Sequence, residues 1–95
     1  MESKKKVPHF AITAAKGFEM TFENGNTISV QLRFGTEKDI TDFDSITAEI
    51  AIWDSNGDWI TKEAALKITG EDICDDVMGR LTPNEVAKYI AWACK

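Results

Sequence analysis

Between positions 18 and 34, apolar and polar residues alternate with a period of two, the pattern of a β-strand that buries one face. The turn-forming pair Asn24-Gly25 interrupts this alternation near its middle. The segment therefore predicts a β-hairpin. The alternating apolar residues are Phe18, Met20, Phe22, Ile28, Val30 and Leu32.

The length of the turn decides which residues face each other in this hairpin. A two-residue loop would place Met20 opposite Ser29 and would mix polar and apolar residues on both faces. A three-residue loop at 23–25, with a left-handed Gly25 and a bulge, places Met20 opposite Ile28. Directly opposed residues share a face, so only the three-residue loop gives one continuous apolar face, and we predict it.

A second hairpin is predicted between positions 48 and 61 by the same pattern. With a loop of Ser55, Asn56 and Gly57, Trp53 faces Trp59 on one side of the hairpin, and position 52 faces position 60 on the other. The tip of this hairpin is therefore apolar on both faces. We expect one face to pack on the core and the other to need a helix, a loop or a partner.

The connection between the hairpins, residues 35–45, reads as an acidic loop held by two apolar residues, Ile40 and Phe43. A connection of this length often carries function. Its acidic residues are Glu37, Asp39, Asp42 and Asp44.

Residues 62–79 have the least regular pattern. Positions 63–67 favour a helical turn, positions 68–70 favour a strand end or a turn, and positions 71–76 suggest a short acidic helix. The acidic residues of that last stretch are Glu71, Asp72, Asp75 and Asp76.

The C-terminal part of the chain predicts a helix from Pro83 to about residue 93. Thr82 is a favourable N-cap, Pro83 suits the first helical position, and Glu85 completes a capping box. Trp92 lies away from the apolar stripe, so it either covers a hairpin or contacts a partner. The stripe is Val86, Ile90, Ala93 and Cys94, with Tyr89 at its edge.

Together these elements predict an α+β fold with two antiparallel β-hairpins forming one sheet and the C-terminal helix packed on one face. The 95 residues are enough for one domain. We assign residues 17–95 to that domain and residues 1–16 to a basic, partly flexible N-terminal segment.

Charge is distributed unevenly along the chain, whose net charge is -5. Residues 1–16 carry a net charge of +3, and residues 17–95 carry -8. An acidic body repels a phosphate backbone, so we expect no direct nucleic-acid binding and favour a partner with a basic surface.

Location and redox state are predicted from apolar runs and cysteines. No apolar run approaches the roughly 20 residues that span a bilayer, and no signal-peptide pattern is visible, so we expect no membrane association and a cytoplasmic location. In a reducing cytoplasm Cys74 and Cys94 are expected to be small, partly buried thiols.

Candidate chemistry is sparse. His9 is the only histidine and lies near the start of the chain, where it is a poor general base, and we therefore expect no catalytic residues, no metal and no cofactor. Asp54, Asn56 and Asp58 match the first ligand positions of a calcium loop, but the glycine and glutamate that the loop requires later are missing. We interpret these three residues as turn formers.

Four stretches carry a resemblance to known proteins: residues 17–25 (GFEMTFENG), 28–31 (ISVQ), 48–54 (AEIAIWD) and 81–87 (LTPNEVA). In these stretches the chain resembles small phage and prophage proteins of unassigned function. The similar proteins often follow the first hairpin with a loop that contains glycine, asparagine and tyrosine, whereas here Gly35 leads into the acidic loop. The resemblance implies a phage origin and supplies no catalytic residues.

The sequence therefore predicts a non-enzymatic, phage-type acidic interaction module. Such a module could inhibit a host nucleic-acid-handling defence complex, in the manner of an anti-CRISPR protein, by occupying a basic surface. The alternative is a structural or self-assembling protein that forms a homo-oligomer through its hairpins. The predicted partner-binding residues are Glu37, Asp39, Asp42, Asp44, Glu71, Asp72, Asp75, Asp76 and Trp92. Of the three tryptophans, we expect two in the core and one exposed.

Overall fold

The fold is described by a computed structural model, which covers residues 7–13, 17–32 and 46–95. It consists of a five-stranded antiparallel sheet, with its strands in chain order, and two helices. Helix α2 packs against strands β3, β4 and β5, so the predicted α+β class and the packing of the C-terminal helix are confirmed. The strands are β1 (His9–Thr13), β2 (Gly17–Thr21), β3 (Thr27–Leu32), β4 (Ala48–Trp53) and β5 (Met78–Leu81), and the helices are α1 (Thr61–Thr69) and α2 (Pro83–Ala93).

The hairpin between β2 and β3 has the predicted register, with Met20 opposite Ile28. Its loop is the predicted three-residue one, closed by a 2.9 Å hydrogen bond from the N–H of Phe22 to the carbonyl of Asn26. Gly25 has a φ of 93°, and a Cβ atom there would lie 2.7 Å from the Cβ of Ser55. Glycine is therefore required both by the backbone and by the contact with the second turn.

The second predicted turn is also present. Trp53 and Trp59 face each other across a single β-bridge, and the N–H of Ile60 donates to the carbonyl of Ile52 at 2.8 Å. The second arm of this hairpin stops there, because the chain enters α1 at Thr61. The register is as predicted, and the arm is shorter than a full strand.

Helix α1 contains the helical turn predicted at positions 63–67 and extends beyond it on both sides. The expectation of a strand end or turn at positions 68–70 is wrong for its first two residues, since the helix continues through Thr69. Gly70, with a φ of 81°, ends the helix by donating its N–H to the carbonyl of Leu66 at 2.9 Å.

The short acidic helix expected at positions 71–76 is absent, and the segment is a loop. A helix there would place Glu71 next to Asp75 and Asp72 next to Asp76 at a spacing of four residues, where like charges repel. The loop instead leads the chain from the end of α1 to β5.

Two strands were not predicted. Strand β1 pairs with β2, with Ile12 opposite Phe18, so the sheet begins before position 17, where the sequence analysis placed the start of the domain. Strand β5 contains Gly79 and Arg80, and Arg80 has a left-handed φ of 55°. A strand with these residues has almost no periodic signal.

Helix α2 has the predicted bounds and the predicted capping box. The hydroxyl of Thr82 accepts the N–H of Glu85 at 3.2 Å, and the Glu85 carboxylate accepts the N–H of Thr82 at 2.8 Å. Tyr89 is fully buried rather than at the edge of the stripe. The free thiols of Cys74 and Cys94 are both exposed, so the expectation of partial burial is wrong.

In the part of the chain that the structure describes, one hydrophobic core lies between the helices and one face of the sheet. Among the described residues, no helix is long and apolar enough to cross a membrane. The core residues are Ile28, Val30, Ala48, Ile50, Ile52, Ala64, Ala65, Leu81, Val86, Tyr89 and Ala93.

The first turn also fixes the end of α2. The side-chain amides of Asn24 and Asn26 both donate to the carbonyl of Ala93, at 2.8 and 2.9 Å. Carbonyl groups in the last turn of a helix have no partner within the helix. The turn of the β2–β3 hairpin therefore caps the C-terminal end of the last helix.

Candidate functional site

Among the described residues outside β1, Trp59 is the most exposed large aromatic side chain, at 52% exposed. It contacts Trp53 edge-to-face, with ring centroids 5.3 Å apart and ring planes at 75°. This is a favourable geometry for two aromatic rings. The pair forms because the turn at 55–57 places the two residues directly opposite each other.

The tryptophan pair lies on the face of the sheet away from the helices. Ile52 points into the core, and successive strand residues point to opposite faces, so Trp53 points the other way. Its cross-strand neighbour on that face is the buried Thr27, whose hydroxyl lies 2.9 Å from that of Thr21. Trp53 thus lies in one cross-strand row with Thr27 and Thr21 and contacts Trp59 at the tip.

The turn beside the pair carries two carboxylates with different roles. The Oδ1 atom of Asp54 accepts the N–H groups of Asn56 and Asp58 at 2.9 and 3.0 Å, so one oxygen of this carboxylate holds the turn. This confirms the interpretation of the Asp54-x-Asn56-x-Asp58 pattern as turn chemistry. Asp58 is exposed, next to Trp59 along the chain. The tip therefore carries an exposed aromatic ring and an exposed carboxylate at adjacent positions of the chain.

The loop at 71–76, between α1 and β5, presents most of its predicted binding residues to solvent. Glu71, Asp72 and Asp75 are exposed and Asp76 is half-buried, while Ile73 between them packs against the core. Ile73 anchors the loop, so its carboxylates are held at the surface. The other predicted acidic residues, Glu37, Asp39, Asp42 and Asp44, lie outside the described residues.

Trp92, predicted as the aromatic anchor, is half-buried and packs against the core. Trp59 is the exposed tryptophan, and the sequence analysis did not choose it as a binding residue. The signal that could have identified it was the hairpin register, which places Trp53 and Trp59 on the face opposite Ile52 and Ile60.

Among the described residues, an apolar groove and a smaller cleft both border α2. The apolar groove of about 250 Å³ is bounded by Phe18, Leu32, Ile46, Val86 and Ile90, and the lining residues that the structure describes include no charged side chain, histidine or cysteine. The smaller cleft of about 140 Å³ lies where α1, β5 and α2 meet. Its lining residues are Ile68, Thr69, Met78, Leu81, Glu85, Lys88 and Tyr89.

Tyr89, at the smaller cleft, has a buried hydroxyl without a hydrogen-bond partner in the described part of the chain. Burial raises the pKa of this phenol above its ordinary value, and the nearby negative charge of Glu85 raises it further. The neutral phenol is therefore favoured, which suits a hydrogen-bond donor and not a base.

The titratable groups most often used in catalysis are dispersed. His9 lies exposed on β1, with its Nδ1 2.6 Å from the carbonyl oxygen of Val7, and it lines neither concave region. Within residues 7–13, 17–32 and 46–95, no three histidine, cysteine or acidic side chains lie close enough to hold a metal ion.

Comparison of the chain with family models, with curated proteins and with solved structures finds no match.

Proposed function

We propose that this protein is a non-enzymatic interaction module that binds a partner protein through the exposed Trp59 side chain and the acidic surface of the molecule. The observation that carries the proposal is the exposed Trp59 ring, held in place by Trp53. A large aromatic side chain that is already ordered loses little conformational entropy on binding, and tryptophan is enriched among residues that dominate binding energy.

The charge of the molecule supports a basic partner. Residues 17–95 carry a net charge of -8, and Asp58, Glu71, Asp72 and Asp75 are exposed. An acidic surface steers basic partners toward it and repels other acidic proteins. The proposal thus combines one aromatic anchor with long-range electrostatic attraction.

Among basic partners, we favour a nucleic-acid-handling complex in the host cytoplasm, and inhibition as the consequence. A protein that grips a phosphate backbone displays lysine and arginine side chains, and an acidic body of this size competes for them. The resemblance to small phage proteins supports a role in evading a host defence of this kind.

The proposal is tested by capturing partner proteins from a host lysate with wild-type protein and with a variant that lacks the Trp59 side chain. Immobilised wild-type protein should retain one or more specific proteins at low salt, and Trp59→Ala should reduce their recovery at least tenfold. The matched control is Leu66→Ala on α1, since Leu66 is similarly exposed, at 49%, and lies away from the hairpin tip. Equal recovery with wild-type protein and Trp59→Ala would contradict the role of Trp59.

The electrostatic part is tested separately. Recovery should fall steeply as the salt concentration rises, because ions screen exposed charges over about 10 Å at 0.1 M. The double variant Asp72→Lys/Asp75→Lys should weaken capture at low salt, whereas Glu23→Lys in the first turn should have a smaller effect. Salt-independent capture would exclude an electrostatic mechanism.

A further inference from the structure

The two edges of the sheet differ in how well they are protected against pairing with another chain. Strand β5 has four residues, includes the left-handed Arg80, and pairs with β4 through a shifted register between Ala48 and Ile50. Short, irregular and charged edges resist further pairing. Strand β1, at the other edge, has five consecutive residues in unbroken register with β2.

Strand β1 also lacks the residues that usually protect an edge. Its sequence, His9-Phe10-Ala11-Ile12-Thr13, contains no lysine, no carboxylate and no proline. In the described part of the sheet no strand lies beyond it. The edge is therefore regular, apolar and open.

The two large apolar side chains of β1 are highly exposed: Phe10 is 74% exposed and Ile12 is 85% exposed. Phe10 lies opposite Met20, and Ile12 lies opposite Phe18, so both point to the face of the sheet that carries the helices. Helix α2 packs over β3, β4 and β5, and in the described part of the chain neither Phe10 nor Ile12 is covered by a helix.

The hydrogen-bonding direction of β1 follows from the first turn. The N–H and the carbonyl of Phe22 both bond across the hairpin toward β3. Because successive residues of a strand direct these groups to opposite sides, Thr21 and Glu19 direct theirs toward β1. Ala11, opposite Glu19, then bonds inward, and the N–H and carbonyl groups of Phe10 and Ile12 point outward.

We propose that β1 pairs in antiparallel orientation with β1 of a second copy of this chain, joining two five-stranded sheets into one. A register centred on Ala11 places Phe10 of each copy opposite Ile12 of the other. The outward N–H and carbonyl groups of these residues then form four hydrogen bonds across the two-fold axis, and all four apolar side chains share one face.

A second copy fits this edge because the strand is complementary to itself. Read from either end, it is polar, apolar, alanine, apolar, polar, which is the symmetry that an antiparallel two-fold contact requires. The charges also allow it: the strand is uncharged, residues 1–8 carry a net charge of +2, and residues 17–95 carry -8. Two copies that meet at β1 therefore avoid a contact between their acidic parts.

The interface is small, because each copy contributes one short strand and two large side chains. Interfaces of this size are typical of reversible association, so we expect a dissociation constant on the order of 10 µM. The protein should be monomeric at nanomolar concentration and dimeric at several hundred micromolar.

Sedimentation velocity over this concentration range tests the proposal. The mass should double with concentration for wild-type protein, and Ile12→Lys should remain monomeric, since Ile12 is exposed and the substitution leaves the core untouched. Leu66→Lys, on the exposed surface of α1, is the matched control and should dimerise like wild-type protein. A monomer at every concentration, or a dimer that Ile12→Lys leaves intact, would overturn the proposal.

Amide hydrogen exchange gives a second, site-specific readout. The amides of Phe10 and Ile12 should become at least tenfold slower to exchange as the dimer forms, whereas the amide of Ala11 should be protected at all concentrations. Unchanged exchange at Phe10 and Ile12 in a dimer would place the interface elsewhere and reject the β1 contact. Trp59→Ala should still dimerise, so this test is independent of the partner-binding role of Trp59.

Discussion

At the scale of single residues, Thr61 connects the sheet to the helical layer. It is fully buried, and its hydroxyl accepts the N–H of Ile52 at 2.9 Å. Strand pairing ends at this point because the chain enters α1. The hydroxyl therefore accepts the hydrogen bond that the carbonyl of Ile60 would accept in a continued strand, because that carbonyl accepts the N–H of Ala64 in α1 instead.

Replacing this hydroxyl should destabilise the protein although the shape is kept. Thr61→Val leaves the buried N–H of Ile52 without an acceptor, so we expect the free energy of unfolding to fall by about 1–3 kcal/mol in urea denaturation. Thr61→Ser keeps the hydroxyl and loses one methyl group, at a cost of about 1 kcal/mol. If valine were tolerated better than serine, the hydrogen bond would not be the important contact.

Tyr89 provides a second prediction at this scale, because it is the only tyrosine. Its pKa is raised by burial and by Glu85, so phenolate absorbance should appear in the folded protein at a pH above the ordinary value of about 10. In urea the midpoint should return to about 10. An unshifted midpoint in the folded protein would mean that the phenol is solvated.

The raised pKa of Tyr89 also makes the stability of the protein depend on pH in the alkaline range. The folded state holds the phenol proton more tightly than the unfolded state, so the protonated phenol favours folding. Its contribution to the free energy of unfolding is complete below about pH 10 and is lost as the pH rises through the pKa of the folded state. Tyr89→Phe should remove this part of the alkaline destabilisation. It should also avoid the cost of a buried hydroxyl without a partner, about 1 kcal/mol or more.

At the scale of elements, the contact between the first turn and the end of α2 should contribute to stability. Asn24→Ala removes a 2.8 Å hydrogen bond to the carbonyl of Ala93, and we expect a loss of about 1–2 kcal/mol in urea denaturation. The matched control is Asn56→Ala, because Asn56 holds the same place in the second three-residue turn. That change should cost less than about 0.5 kcal/mol.

A third variant separates the two roles of Asn24. Its side-chain oxygen accepts the N–H of Asn26 at 2.8 Å, and Asn24→Asp keeps this acceptor while losing the donor to Ala93. It also places a negative charge at the negative end of the helix dipole. If Asn24→Asp were as stable as wild-type protein, the capping of α2 would contribute little.

Elements whose signal is local could be predicted from the sequence. The β2–β3 register followed from alternation and one glycine, and the start of α2 followed from Thr82, Pro83 and Glu85. Strand β1 and the full extent of α1 were missed because their structure depends on tertiary contacts. Strand β5, with Gly79 and a left-handed Arg80, forms only because β4 offers it an edge.

The candidate site was predictable in part for the same reason. The facing of Trp53 and Trp59 followed from the hairpin register, but the exposure of Trp59 depends on what covers that face of the sheet, which no local pattern contains. Three of the four carboxylates at 71–76 are exposed as expected, Asp76 is half-buried, and the expected helix is absent. The partial burial of Trp92 could not be predicted without knowing where α2 lies on the sheet.

At the scale of the whole molecule, the excess of acidic groups should make stability depend on salt. Residues 17–95 carry a net charge of -8, and this self-repulsion is relieved when ions screen it. We expect Tm to rise by about 2–5 °C between 10 and 300 mM NaCl, measured at low micromolar concentration so that the monomer is observed. Potassium chloride should act equally, and a Tm that falls with salt would contradict this reasoning.

The edge-to-face arrangement of Trp53 and Trp59 has an optical consequence. Two indole rings 5.3 Å apart and inclined at 75° couple their electronic transitions, so the pair should produce an exciton couplet in the circular dichroism spectrum. The couplet requires closure of the turn at 55–57 and disappears when either ring is replaced. The protein thus contains an intrinsic probe that reports the closing of one turn in real time, separately from the assembly of the rest of the chain.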